Sequence, residues 1–202
     1  MQRLAGLVLV SLTALILCVH LRADEEAKWE SHGPYGGLAF TIQVDETNPK
    51  RVLVCVVGGN FLSDDAGETW KRVIPPEGAD TYMNRIRLIG GKLYCPSANT
   101  LYISNDGISW KKDAQLTGNI YDIVCEPGKP DRKWSLSVKT DGGKPEVYVA
   151  TTKGEQWEER KVGELAMPYA SFANTFIFVS PVDSSIARVF LASFKLVEEG
   201  YT

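Results

Sequence analysis

The sequence predicts an all-β fold, a β-propeller of four-stranded antiparallel blades, and three observations lead there. Trp29, Trp70, Trp110 and Trp157 recur at intervals of 41, 40 and 47 residues, and periods of about 40–45 residues are those of propeller blades. A turn-like string precedes three of these tryptophans. It reads Ser63-Asp64-Asp65-Ala66-Gly67-Glu68-Thr69-Trp70, then Ser104-Asn105-Asp106-Gly107-Ile108-Ser109-Trp110 with one spacer residue fewer. A third copy, Thr151-Thr152-Lys153-Gly154-Glu155-Gln156-Trp157, keeps the glycine and the tryptophan but not the aspartate. Between these strings lie short runs rich in Val, Ile and Phe, bounded by Gly, Pro, Asn and Asp, with no helical period outside the N-terminus.

The chain opens with Met1-Gln2-Arg3 and an apolar run from Leu4 to Val19 broken only by Gly6, Ser11 and Thr13. His20-Leu21-Arg22-Ala23 and the acidic Asp24-Glu25-Glu26 follow, so residues 1–23 read as a secretory signal peptide cleaved after Ala23. The apolar run is shorter than the ~20 residues of a spanning helix, so no membrane span is expected after cleavage. Leu17 stands where a lipoprotein signal needs a small residue before Cys18, and lipid attachment is not expected. Residues 24–202 are then the repeat domain, secreted or periplasmic, of a size that supports one packed unit.

Each blade follows one plan: an apolar run, a turn, a second run, a short third strand, the tight turn and the tryptophan strand. The first copy comprises Leu38 to Val44, the turn Asp45-Glu46-Thr47-Asn48-Pro49, Arg51 to Val57, Asn60 to Ser63, and Trp70 to Ile74. The second runs through Arg85 to Ile89, Gly90-Gly91, Lys92 to Cys95, Leu101 to Ser104, and Trp110-Lys111. The third is Ile120 to Cys125, the turn Glu126-Pro127-Gly128-Lys129-Pro130, Trp134 to Lys139, Asp141-Gly142-Gly143, Val147 to Thr151, and Trp157 to Lys161. A fourth begins at Phe172 to Val179, turns at Pro181-Val182-Asp183-Ser184, and continues through Arg188 to Ser193 into the tail Leu196 to Thr202. Two architectures fit the count. In one, the Trp29 strand closes the last blade and leaves no sheet edge; in the other, the chain is an arc of a larger propeller.

The repeated turn has a physical reading. Gly67 supplies a positive φ, Asp65 accepts from backbone N–H groups of its own turn, and the Ser63 and Thr69 hydroxyls satisfy neighbouring groups. Trp70 is expected to place its ring between adjacent sheets. Ser104, Asp106, Gly107, Ser109 and Trp110 repeat these roles. An isolated acid in such a turn lacks the partner carboxylate of a glycosidase and the oxygen set of a calcium site, so its predicted role is structural.

Other chemistry is scarce. The chain has 22 basic and 25 acidic residues and a net charge of −3, which argues against nucleic acid as a partner. Cys55, Cys95 and Cys125 lie in apolar runs, allow at most one internal pair, and read as buried free thiols. With no C-x-x-C and only His32 left in the mature chain, no metal is expected. There is no nucleophile elbow, phosphate loop or dinucleotide fingerprint, so no cofactor is expected.

The Ser63–Trp70 and Ser104–Trp110 strings resemble the Asp-box, or BNR, repeats of sialidase-like propellers. Gly33-Pro34-Tyr35-Gly36-Gly37 with Val44-Asp45-Glu46-Thr47-Asn48-Pro49 and Arg51-Val52-Leu53-Val54 resembles the blade opening of the same superfamily. That superfamily includes sialidases, xyloglucanases, sortilin-type receptors and the photosystem II assembly propeller. The resemblance covers most of residues 29–202 and implies six to ten blades in most relatives, against four recognisable here. A sialidase would need three arginines on the substrate carboxylate, the first in an R-I-P string. Arg85-Ile86-Arg87 lacks the proline, so sialidase activity is not expected. The expected function is an exported, non-catalytic module that binds a glycan or protein partner, with no catalytic residue. The alternative is a glycoside hydrolase-related enzyme, degenerate or truncated. The loops leading into the innermost strands contain Tyr35, Tyr82, Tyr121 and Tyr169, one per blade, beside Asn84 and Arg85. These six are the candidate binding residues, an aromatic and polar surface suited to a glycan or peptide. Packing around the channel is the competing role for the tyrosines.

Overall fold

Runs of alternating apolar and polar residues form strands because successive side chains then point to opposite faces, and the apolar set of each sheet must be covered by another. The computed structural model describes residues 31–34, 37–79, 85–140 and 144–164, together with the backbone of 171–179 and 187–194. No helix occurs among the described residues, and none is long and apolar enough to cross a membrane. The segment 1–23, Tyr35, Tyr82, Asn84, Tyr169, the turns at 141–143 and 181–184 and the tail from Leu196 lie outside the described residues.

Strands β1 (Ala39–Val44), β2 (Val52–Val56), β3 (Gly59–Ser63) and β4 (Lys71–Val73) make the first sheet, an antiparallel meander in that order. The second sheet repeats the plan with β5 (Arg87–Ile89), β6 (Lys92–Ser97), β7 (Thr100–Ser104) and β8 (Lys111–Gln115). The third contains β9 (Asn119–Glu126), β10 (Lys129–Lys139), β11 (Glu146–Lys153) and β12 (Gln156–Glu164). A two-stranded sheet, β13 (Ser171–Val179) and β14 (Ala187–Phe194), follows. Three four-stranded antiparallel sheets following one another in chain order make the fold propeller-like.

Three details depart from the sequence reading. Trp70 and Trp110 stand immediately before β4 and β8 rather than within them, because the hairpin turn preceding each ends only at the tryptophan; Trp157 does lie in β12. The turn expected over Glu126 to Pro130 contracts to Pro127-Gly128, with Gly128 at φ 73°. Strand β10 therefore begins at Lys129 and carries Pro130 in an irregular stretch, where the register with β9 shifts between Lys129 and Lys133. A proline is tolerated there because the bulge leaves its position without a ladder donor to lose.

Two apolar layers hold the sheets together. Leu53, Cys55, Leu62 and Val73 of the first sheet pack with Ile86, Leu88, Leu93 and Cys95 of the second. Tyr94, Leu101 and Ile103, on the other face of the second sheet, pack with Ile120, Ile123 and Ala150 of the third. The alternation along β6 is what divides these layers: Leu93 and Cys95 point one way and Tyr94 the other. Each fully buried leucine contributes about 2 kcal/mol. First strands of neighbouring sheets approach one another, β1 to β5, β5 to β9 and β9 to β13, while the fourth strands make no comparable approach. The sheets therefore fan outward from their first strands.

Tryptophans span the wide side of the fan. Trp110 packs against the layer between the first two sheets, and its indole N–H donates to the Ile74 carbonyl just beyond β4 at 2.7 Å. Trp157 packs on the layer between the second and third sheets, and its indole donates to Asp113 Oδ2 on β8 at 3.0 Å. All three of Cys55, Cys95 and Cys125 are free thiols. Cys55 and Cys95 are buried as expected, and Cys125 is half-buried.

Candidate functional site

The repeated turns place the aspartates in closed hydrogen-bond rings. In the first, Ser63 Oγ donates to Asp65 Oδ1 at 2.7 Å and accepts from the Gly67 N–H at 2.8 Å. Asp65 in turn accepts from the Thr69 N–H at 2.8 Å and from the Thr69 hydroxyl. The second is built alike: Ser104 Oγ donates to Asp106 Oδ1 at 2.9 Å and accepts from Gly107, and Asp106 Oδ1 accepts from the Ile108 and Ser109 N–H groups, each at 2.8 Å. The Thr69 hydroxyl and N–H, with Ser63, hold the Asp65 carboxyl at about 2. The Ile108 and Ser109 N–H groups and Ser104 hold Asp106 at about 2. Carboxylates this acidic and this fully hydrogen-bonded are poor proton donors at neutral pH. Gly67 adopts φ 97° as the turn requires, and Ala66 shares the left-handed region at φ 62°. The second ring also fastens one sheet to another, since Gly107 O accepts from the Ile74 N–H at 2.8 Å and Arg51 reaches the Asn105 carbonyl.

At the start of the inner strands the arrangement is different. Arg85, one residue pair before β5, lies with its guanidinium carbon 4.9 Å from the centroid of the Tyr121 ring on β9. One guanidinium N–H donates to the Ile120 carbonyl at 3.3 Å. Both residues are half-buried, and burial pushes the Tyr121 phenol up while the Arg85 cation pulls it down. Of the six sequence-derived binding residues these are the two described, and the fold brings them together. A cation over an aromatic face, with most of its donors unspent on Ile120, is a surface for hydroxyl, carbonyl or carboxylate groups.

Beneath this pair the inner strands are tied by polar contacts the sequence does not reveal. Gln43 on β1 donates to the Ile86 carbonyl and accepts from the Leu88 N–H, each at 2.9 Å. Arg87 on β5 pairs with buried Asp122 on β9 at 2.9 Å. Asp122 and Gln43 carry no local motif, and the inter-strand partners of each lie at least 35 residues away, although Asp122 also accepts from the Ile123 N–H beside it. At the other end of these strands the β1–β2 turn acts as a hub. Asp45 accepts from Thr47, Asn48 and the Gly91 N–H of the second sheet, and Glu46 accepts from the Gly128 N–H of the third at 3.3 Å. Burial pushes the Asp45 carboxyl up, but bonds from Thr47, Gly91 and Asn48 outweigh it and the net displacement is downward. Gly91 thus has a structural acceptor.

No family model matches the chain, and no curated protein matches it. Among solved structures it is similar to the GH74 xyloglucanase from Xanthomonas campestris, a β-propeller enzyme, with a TM-score of 0.50 and 17% identity over 76% of this chain and 27% of that one. It is also matched to an ancestral GH74 enzyme, at a TM-score of 0.36 and 12% identity over 62% of this chain and 26% of that one. The first likeness is one of fold alone, and the second carries no argument. The chain spans about a quarter of the length of the structures it matches.

Proposed function

We propose that this protein is an exported, non-catalytic propeller module of the Asp-box type that binds a glycan or protein partner on the surface around Arg85 and Tyr121. The stacked pair is the observation that carries this reading. It is a half-buried cation just before β5 over an aromatic ring near the start of β9, with guanidinium donors left for a ligand. The acids nearest to it or singled out by the repeats support the same reading from the other side. Asp65 and Asp106 are occupied within their turns, and Asp122 is paired with Arg87. Export through residues 1–23 belongs to the same proposal and requires a mature N-terminus at Asp24.

A glycan and peptide array probed with the wild-type protein tests the reading. Tyr121→Ala and Arg85→Ala are each expected to weaken captured ligands about tenfold, in line with aromatic and cation–π contributions of about 1–1.5 kcal/mol. Binding unchanged in both variants, with the fold retained by circular dichroism, overturns it. Turnover of xyloglucan or sialoside substrates by the wild-type protein would instead establish the glycoside hydrolase-related alternative.

A further inference from the structure

A cavity of about 660 Å³ lies at the end of the first sheet where β2 turns into β3 and β4 runs out into Ile74-Pro75. Its border is largely apolar: Phe40, Val57 and Ile74 stand on it, and each is more than half exposed. The border is also held in place. The Val57 N–H donates to the Leu38 carbonyl at 3.1 Å, and Ile74 is pinned through its N–H to Gly107 and through its carbonyl to the Trp110 indole. A preformed concavity of this size, apolar with a few polar groups, is the usual form of a small-molecule site.

Two polar side chains on the border are left unspent by the fold. Asn60 stands opposite Cys55 and Val73 in the strand register, on the face of β3 that Leu62 also presents to the layer shared with the second sheet. It is only 6% exposed, yet its carboxamide makes no hydrogen bond to a described residue. A buried amide kept without a partner costs about 1–3 kcal/mol, which the fold does not recover. Arg72 is the one charged residue on the described border, and no described carboxylate pairs with it. Its guanidinium lies over Gly59, with Nε and Nη2 each 3.7 Å from where a Cβ of that residue would stand.

We propose that this cavity is a binding site for small organic carboxylates with an apolar body, separate from the Arg85–Tyr121 surface. The planar guanidinium of Arg72 matches a carboxylate in charge and shape. The Asn60 carboxamide supplies a further N–H, and Phe40, Val57 and Ile74 cover the apolar body. No acid on the described border competes for Arg72. A neutral ligand leaves the cation unmatched, and a bare anion leaves the apolar border wet.

Amide NMR titrations of the full chain with phenylacetate, phenylacetamide and acetate test this. Phenylacetate is expected to shift Gly58, Gly59 and the Asn60 side-chain amide along one saturation curve, with a dissociation constant of about 1 mM or tighter. Phenylacetamide, which lacks the charge, and acetate, which lacks the apolar body, are each expected to bind about tenfold more weakly or worse. Arg72→Gln is expected to weaken phenylacetate about tenfold and to leave phenylacetamide unchanged. Asn60→Leu is expected to weaken phenylacetate as well while melting no lower than the wild type, since the group it removes has no partner in the free protein. Should Asn60→Leu fail to fold, the exposed Arg72 decides. The proposal is overturned by the absence of a saturable shift at these residues, by phenylacetamide binding as tightly as phenylacetate, by Arg72→Gln without effect, or by shifts centred instead on Arg85 and Tyr121.

Discussion

Asp65 is worth more to the fold as an anion than as an acid, and that makes the repeated turn pH-sensitive. Its carboxyl is held at about 2, against an ordinary 3.8, first by the Thr69 hydroxyl and N–H and then by Ser63. A carboxyl lowered in the folded state stabilises above its unfolded value and loses that contribution as pH falls toward the folded one. Asp65→Asn is therefore expected to melt a few degrees below the wild type near neutral pH, with the gap closing between about pH 4 and pH 2. Thermal melts followed by circular dichroism at several pH values check this; a gap independent of pH would assign the loss to packing. This turn was legible because all its partners lie within four residues of one another. The positive φ of Ala66 was not, since alanine carries no local signal for it. The pairing of Arg87 with Asp122 was equally hidden, because it joins residues 35 apart that only the approach of β5 to β9 makes neighbours.

Among the elements, strand positions were readable from alternation and strand ends were not. β1, β2 and β3 fall within a residue or two of their expected runs, since both ends are marked by Gly, Pro, Asp or Ser. β10 extends five residues further toward its N-terminus than the apolar pattern indicated, because its first residues pair through a bulge and not through apolar burial. The link from β8 to β9 depends on Gly118, at φ 77°. A Cβ there would lie 2.4 Å from the carbonyl carbon and oxygen of Val138 on β10, atoms that cannot swing aside. Gly118→Ala combines a disallowed φ with a backbone clash and is expected to destabilise by more than about 1 kcal/mol in urea unfolding. By contrast a Cβ at Gly128 meets no atom within 4 Å, so Gly128→Ala carries only the cost of its φ of 73° and is the milder control.

At the scale of the molecule, the sheets form a chain of nearest-neighbour contacts, and stability should divide among those contacts. Trp110 serves the first junction and Trp157 the second, with no shared partner. Trp110→Phe and Trp157→Phe, each removing one indole hydrogen bond, are expected to cost about 1 kcal/mol apiece. The double variant is expected to equal their sum within about 0.5 kcal/mol, as for independent sites. A larger coupling energy from denaturant curves would mean that the junctions do not act separately. The sequence by itself determined that this protein is all-β, that its unit is four strands long and that its aspartates fasten turns, because alternation, turn chemistry and period act over a few residues or repeat identically. Only the tertiary structure decided that Arg85 stacks on Tyr121, that Gln43 and Asp122 tie the inner strands, and that the Trp70 indole alone among its described counterparts lacks an acceptor. Those facts depend on which sheet lies against which, and a linear pattern carries no record of the neighbour across a fold.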